Sequence, residues 1–441
     1  MTVETMHSWG RYPNFPQRVV RVNWRDELAP ALAAISAQHT TVLPYGNGRS
    51  YGDSCLAASD SLLQIRGLNR FLAADWQCGV IRAEAGTTLE EILRVCVPRG
   101  WFLPVTPGTK FVTLGGALAN DVHGKNHHVR GTFGAHVSRF ALLRSDRGFI
   151  ECSAQENSEL FAATIGGLGL TGVVVWVELQ LLPIRSSAID TINFRFENLD
   201  EFFDLSEQYD SAYEYSVAWV DCLAAGNALG RGHFTVGNHA TDGGLELSAR
   251  RKLAMPFTPP LSLVNALSLR AFNYFYFHRQ RERERHYRSD CDSFFYPLDA
   301  IAHWNRLYGP RGFQQYQCVI PHANARSAMP ELLRAIAAHK AGSFLAVLKR
   351  CGDKSSPGLL SFPLPGVSLA LDFPQREKLN EKLFTRLDAI VHASGGRLYP
   401  AKDAHMRGVD FRNAYPAWTQ VEALRDPLLL SRFWRRVTRE S

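Results

Sequence analysis

No two of the eight cysteines stand close enough for a Cys-x-x-Cys or a zinc-ligand pair. They lie at Cys55, Cys78, Cys96, Cys152, Cys222, Cys291, Cys318 and Cys351, a spacing that predicts reduced thiols, no disulfide framework and no metal site. Long apolar runs are missing as well: no stretch of about 18 uncharged apolar residues is present, so the sequence offers no membrane-spanning helix. Met1 to Arg11 lacks the basic start and apolar run of a signal peptide, and the expected setting is cytoplasmic, peripheral to the inner membrane at most. There is no Rossmann fingerprint, Walker loop, zinc-finger spacing, aromatic single-strand module or internal repeat. Nucleic acid is therefore not an expected partner.

What is present is an ordinary globular composition. The 441 residues are 46% hydrophobic and 21% charged, enough for two or three folded domains and incompatible with disorder or collagen-like repetition. Forty-nine Lys and Arg against 42 Asp and Glu leave a net charge of +7. Such an excess favours anionic partners without choosing among them.

Short β-branched runs alternate with helical patterns in the first third, as at Thr41 to Pro44, Gly79 to Ala83 and Gly172 to Leu182, which reads as α+β. Thr88 and Glu91 form a capping-box pair ahead of Leu89, Ile92, Leu93, Cys96 and Val97, and Pro98 with Gly100 ends the predicted helix. Glycine loops thin out from about Ser186, where strands at Ile192 to Phe196 and Tyr215 to Val220 and helices near Leu199 to Tyr209 and Pro330 to Lys340 suggest a second domain. A last helix carries Leu379, Leu383, Leu387, Ile390 and Val391 on one face and stops at Ser394-Gly395-Gly396. The boundaries drawn are 1–185, 186–396 and a segment 397–441 that returns to the first domain. Residues 253 to 288 pass from an apolar, aromatic stretch into His278-Arg279-Gln280-Arg281-Glu282-Arg283-Glu284-Arg285. Two readings stay open for them: a surface helix laced with i,i+4 ion pairs, or a mobile, membrane-contacting lid.

Three glycine-rich segments stand out: Tyr45 to Asp53, then Thr106 to Thr109 with Thr113 to Ala117, then Gly166 to Gly172. Each alone reads as a tight turn. Together, at the ends of predicted strands, they can bring backbone N–H groups against a pyrophosphate with no Cβ in the way.

These segments resemble the vanillyl-alcohol-oxidase, or PCMH-type, FAD-binding flavoproteins. Pro104 to Thr109, His123 to His128, Gly312 to Gln317, Leu360 to Gly366 and Gly396 to Asp403 are similar to the branch of that family that oxidises a polyprenyl-phosphate ribose. The resemblance implies a two-domain α+β fold, with a PCMH-type FAD domain and a substrate domain built on an antiparallel sheet. It also implies that FAD is held by Gly46, Asn47, Gly48, Arg49, Ser50 and Tyr51, by Pro107, Gly108, Thr109, Gly115, Gly116 and Ala117, by Ala119, Asn120, His123 and Gly124, by Leu168, Gly169, Gly172 and Val174, and by Tyr399 and Ala401. Arg49 stands where covalent members carry a histidine, which implies non-covalent FAD. Ser368 and Ala370 replace an asparagine and a cysteine of the branch.

Alcohol oxidation needs a hydride acceptor, a base for the hydroxyl proton and a fixed cation near the reduced flavin. Lys402, His123 and Lys125 are the catalytic candidates, and Tyr51, Trp219, Gln315, Gln317, Lys349, Ser368, Ala370 and Lys402 the substrate-binding ones. Three functions stay open: oxidation of a polyprenyl-phosphate ribose with a short-chain reductase as the next enzyme, oxidation of free alditols or aldonolactones, and a flavin-free binding or membrane module.

Overall fold

Thr88 opens helix α1 (Leu89–Cys96): its hydroxyl accepts from the Glu91 amide at 3.2 Å, and the Glu91 carboxylate accepts from the Thr88 amide at 2.7 Å. The reciprocal cap fixes the entry of a helix whose Leu89, Ile92, Leu93 and Cys96 are buried. Gly100, at φ 79°, turns the chain out of it. The computed structural model describes residues 2–4, 6–38, 40–247 and 253–439. In its first part a four-stranded sheet orders Thr2–Glu4, Gln17–Arg21, Ser61–Gln64 and Leu43–Tyr45, and a five-stranded antiparallel sheet orders Phe71–Asp75, Val80–Glu84, Val173–Gln180, Val137–Arg144 and Gly148–Ser153. One apolar core joins α1 to both.

The second part is built on eight strands: β1 (Ala188–Phe196), β2 (Tyr215–Val220), β3 (Gly232–His239), β4 (Glu284–Asp290), β5 (Phe313–Pro321), β6 (Val347–Cys351), β7 (Gly366–Pro374) and β8 (Arg397–Leu398). They lie in the order β4-β1-β3-β2-β6-β7-β5-β8, every pair antiparallel. Alternation decides which side chain meets which partner. Phe234, Leu348, Leu369, Leu371, Tyr316 and Cys318 point into a core shared with helices α2 (Leu199–Tyr209), α4 (His322–Ala338) and α5 (Glu377–Ala393). Their neighbours in sequence, His233, Lys349, Ser368, Ala370, Gln315 and Gln317, face a cavity instead. Helix α4 begins earlier than the sequence pattern suggests and carries Pro330 within it, because Ala325, Ala328 and Met329 of its first turns are buried.

The segment 253–288 is not one helix. Helix α3 (Ala266–His278) ends before the arginine-rich run, and Glu284–Asp290 is the edge strand β4, paired with β1. The charges of the run pair with neighbouring elements rather than along a helix: Arg288 meets Asp190 of β1 at 2.7 Å, and Arg283, just before the strand, reaches Glu201 of α2 at 2.6 Å. Arg397 and Leu398 also depart from the expected path, adding β8 to the large sheet before the chain crosses to Asp53, where Arg436 bonds both Asp53 (2.8 Å) and Asp403 (2.9 Å).

Candidate active site

One cavity of about 820 Å³ runs between the glycine loops and the open face of the eight-stranded sheet. Gly46 packs so tightly that a Cβ there would meet the Thr113 hydroxyl at 2.4 Å, and Gly48, at φ +57°, lies against the Tyr45 hydroxyl. Only glycine lets this loop close. Asn47 Nδ2 donates to the Phe111 carbonyl at 2.7 Å, tying the loop to the second glycine segment. That segment is pinned in turn by Asp299, which accepts from the Lys110 amide at 2.9 Å. At Gly108 and Gly169 a Cβ would project into open space, so backbone lines the cavity there.

Every FAD-binding residue expected from the sequence lines this cavity except Ala117. Ala117 faces the apolar core, 0% exposed. Gly116 and Ala119, on the other side of the short helix Leu114–Ala119, reach the cavity. Arg49 lies with its guanidinium carbon 4.1 Å from the Trp9 ring centre and 5.2 Å from that of Phe111, and its buried Nε has no hydrogen-bond partner among the described residues. A buried donor of this kind suits an anionic group of a bound molecule. Three backbone-lined loops and an orphaned guanidinium N–H fit FAD.

On the sheet side, Gln317 Nε2 donates to His123 Nε2 at 3.1 Å, which leaves the imidazole proton on a buried, unpartnered Nδ1. Burial, with Lys349, His127 and Lys402 adding repulsion, holds His123 well below its usual pKa, so it is neutral. Tyr399 stacks on Phe362 with ring centres 4.6 Å apart and donates to the Asn120 carbonyl at 2.9 Å. Lys349 Nζ donates to the Gly124 carbonyl at 2.8 Å. Lys402 Nζ lies 3.6 Å from the ring centre of Tyr51, and burial lowers it to about 7 against the attraction of Asp372. Lys125 lines the same cavity and donates to the Phe294 carbonyl.

Cross-strand register assembles the substrate face. Gln315 sits opposite Asp372, Gln317 opposite Ala370, Lys349 opposite Ser368, and Val347 lies between Ala370 and Trp219. Sequence reasoning missed Asp372, the third residue of the Ser368, Ala370, Asp372 alternation, whose period of two was the available signal. It also missed Trp9, Asp299, Tyr276 and Arg279, all of which line the cavity.

A family model described as an FAD binding domain matches residues 16–153. The decaprenylphosphoryl-β-D-ribose oxidase of Mycolicibacterium smegmatis is 31% identical over 97% of this chain and 95% of its own length. The chain belongs to the PCMH-type FAD flavoproteins. An uncharacterized protein of Streptomyces coelicolor is 34% identical over 77% of this chain and 95% of its own. The L-gulonolactone oxidase of Mus musculus is 29% identical over 40% of each chain. As a member of this flavoprotein family, the protein is an FAD-dependent oxidoreductase acting on CH–OH groups.

Proposed function

We propose that this flavoprotein oxidises the ribofuranose 2-hydroxyl of a polyprenyl-phosphate ribose to a ketone, the first half of an epimerisation that a short-chain reductase completes. The observation that carries the reading is the extent of the cavity. Beyond Lys402 and Ala370 it continues across the sheet to Trp219, Tyr276, Tyr287 and Phe294, an aromatic end suited to an isoprenoid chain and without use for a free polyol. Similarity to the ribose oxidase over nearly the whole chain supports the same substrate, whereas similarity to the gulonolactone oxidase covers 40%.

Bound FAD supplies the acceptor for a hydride. The protein supplies the rest: Arg49 and the glycine loops hold FAD, Gln315, Gln317, Ser368 and Lys349 orient the sugar hydroxyls, and Lys402 as a neutral amine takes the hydroxyl proton. The surface around α3, rich in exposed apolar side chains, rests on an anionic bilayer from which the lipid substrate enters. Anaerobic bleaching of the flavin tests the substrate. Bleaching by farnesylphosphoryl ribofuranose, with alditols and aldonolactones inert, is expected; bleaching by the free polyols alone refutes it.

A further inference from the structure

Asp372 is 3% exposed, on the cavity face of β7. Gln315 Nε2 donates to its Oδ1 at 2.7 Å, and an asparagine would accept that bond equally well. No Lys or Arg among the described residues lies within the 4.0 Å of an ion pair with it, nor does any carboxylate lie so close to Lys402. A buried carboxylate and a half-buried ammonium, both lining one cavity and neither neutralised at contact distance, are costly to fold around. The fold keeps both. The groups that face them are Tyr51, under Lys402 and packed edge-on against Phe313, two residues before Gln315 on the same face of β5, together with Tyr308, stacked on Phe313, and the neutral His123. None of these is charged near neutral pH, so Lys402 and Asp372 are each other's electrostatic partner.

We propose that Asp372 is a positioning residue of the oxidation: it sets the protonation state of Lys402, so that the amine takes the substrate's hydroxyl proton and the ammonium formed faces a carboxylate. The step is a proton transfer alone, in which the substrate O–H bond breaks, an N–H bond forms at Lys402 Nζ, and no electrons change owner. The proposal rests on the reading of Lys402 as proton acceptor. Burial moves the two groups toward each other, Asp372 up and Lys402 down, which lets one proton pass between them near neutral pH.

The test uses the holoenzyme and two readouts. Flavin bleaching by farnesylphosphoryl ribofuranose is followed by stopped flow against pH, and the Lys402 amine is titrated by NMR after ¹³C reductive methylation, its signal identified by loss in Lys402→Met. In the wild type the rate rises with pH as Lys402 loses its proton. In Asp372→Asn burial acts on Lys402 unopposed, so both the acidic limb and the NMR midpoint move down by about one pH unit or more, and the plateau falls on the order of tenfold as the amine becomes a weaker base. Asp372→Glu returns both toward wild type. A limb or midpoint unmoved in Asp372→Asn overturns the proposal. If that variant sheds its flavin, Asp372→Ser carries the same expectation. Normal bleaching in Lys402→Met defeats the Lys402 reading itself, a different result from an unmoved limb.

Discussion

Replacing Leu267 and Phe275 by serine should detach the protein from anionic membranes without disturbing its fold. These side chains are 79% and 72% exposed on the outer flank of α3, whereas Leu269 and Phe277 of the same helix are buried. They have close company: Leu253, Phe257, Leu261, Leu263 and Tyr274 are also exposed, so one stretch of chain presents a concentrated apolar surface. The sequence between Leu247 and Arg281 contains no Asp or Glu but includes Arg270 and Arg279, so the patch has the charge complement of an acidic lipid surface. Fully burying a Leu or Phe is worth about 1.5–3 kcal/mol. At three-quarters exposure and partial insertion, about 1 kcal/mol apiece is a fair share, so the double variant should bind about 30-fold more weakly. Each surface arginine adds about 1 kcal/mol, and this part should vanish as salt shortens the Debye length from about 10 Å at 0.1 M to about 3 Å at 1 M. Sedimentation with phosphatidylglycerol vesicles reads both effects, with phosphatidylcholine vesicles as the neutral control. Equal pelleting of wild type and double variant, or pelleting indifferent to salt, refutes the reasoning.

Three further outcomes are expected. Acid precipitation should release all the FAD into the supernatant, since Arg49 stands in the loop where a histidyl link would form; yellow colour in the pellet contradicts this. Lys402→Met should retain its flavin yet reduce it on the order of 10²-fold more slowly, the usual cost of losing a positioned general base, as stopped-flow bleaching will measure. A thiol reagent applied to the native protein should label Cys78, the exposed cysteine, and spare Cys55, which burial pushes up to about 12; Ala370→Cys should add a second reactive thiol, blocked by substrate, as intact-mass analysis will count.

The flavin end of the site was legible because its chemistry is written in backbone. Loop positions that admit no Cβ must be glycine, so Gly46 and Gly48 announce themselves in sequence. Ala117 was misjudged because a motif reads as a continuous string, while a helix turns about 100° per residue and sends it into the core. The arginine-rich run misled for a related reason: its Arg and Glu place opposite charges three apart on a helix, as at Arg281 and Glu284, as readily as they offer charges to neighbouring elements at a sheet edge, and only the register against β1 decides. Asp372 was passed over because a single acidic residue in the run from Val367 to Phe373 looks like an interruption of a buried strand. It is the functional face of a strand whose other face is buried.

By that parity, a substitution at Ser368 or Ala370 would change the substrate side while its geometry stays fixed. Leu369, Leu371 and Phe373 are 0% exposed against the helices, and Ser368, Ala370 and Asp372 are therefore obliged to face the cavity. Slipping β7 by one residue would carry Asp372 into the apolar core and bring Leu371 to Lys402. The first change alone leaves a carboxylate buried with no partner, costing several kcal/mol, on top of three large side chains expelled from the core. The packing that stabilises the sheet is thus the same packing that turns the carboxylate to the cavity Lys402 also lines. Variation among relatives at the cavity positions can alter which substrate fits without loosening the register that places the proton-handling pair.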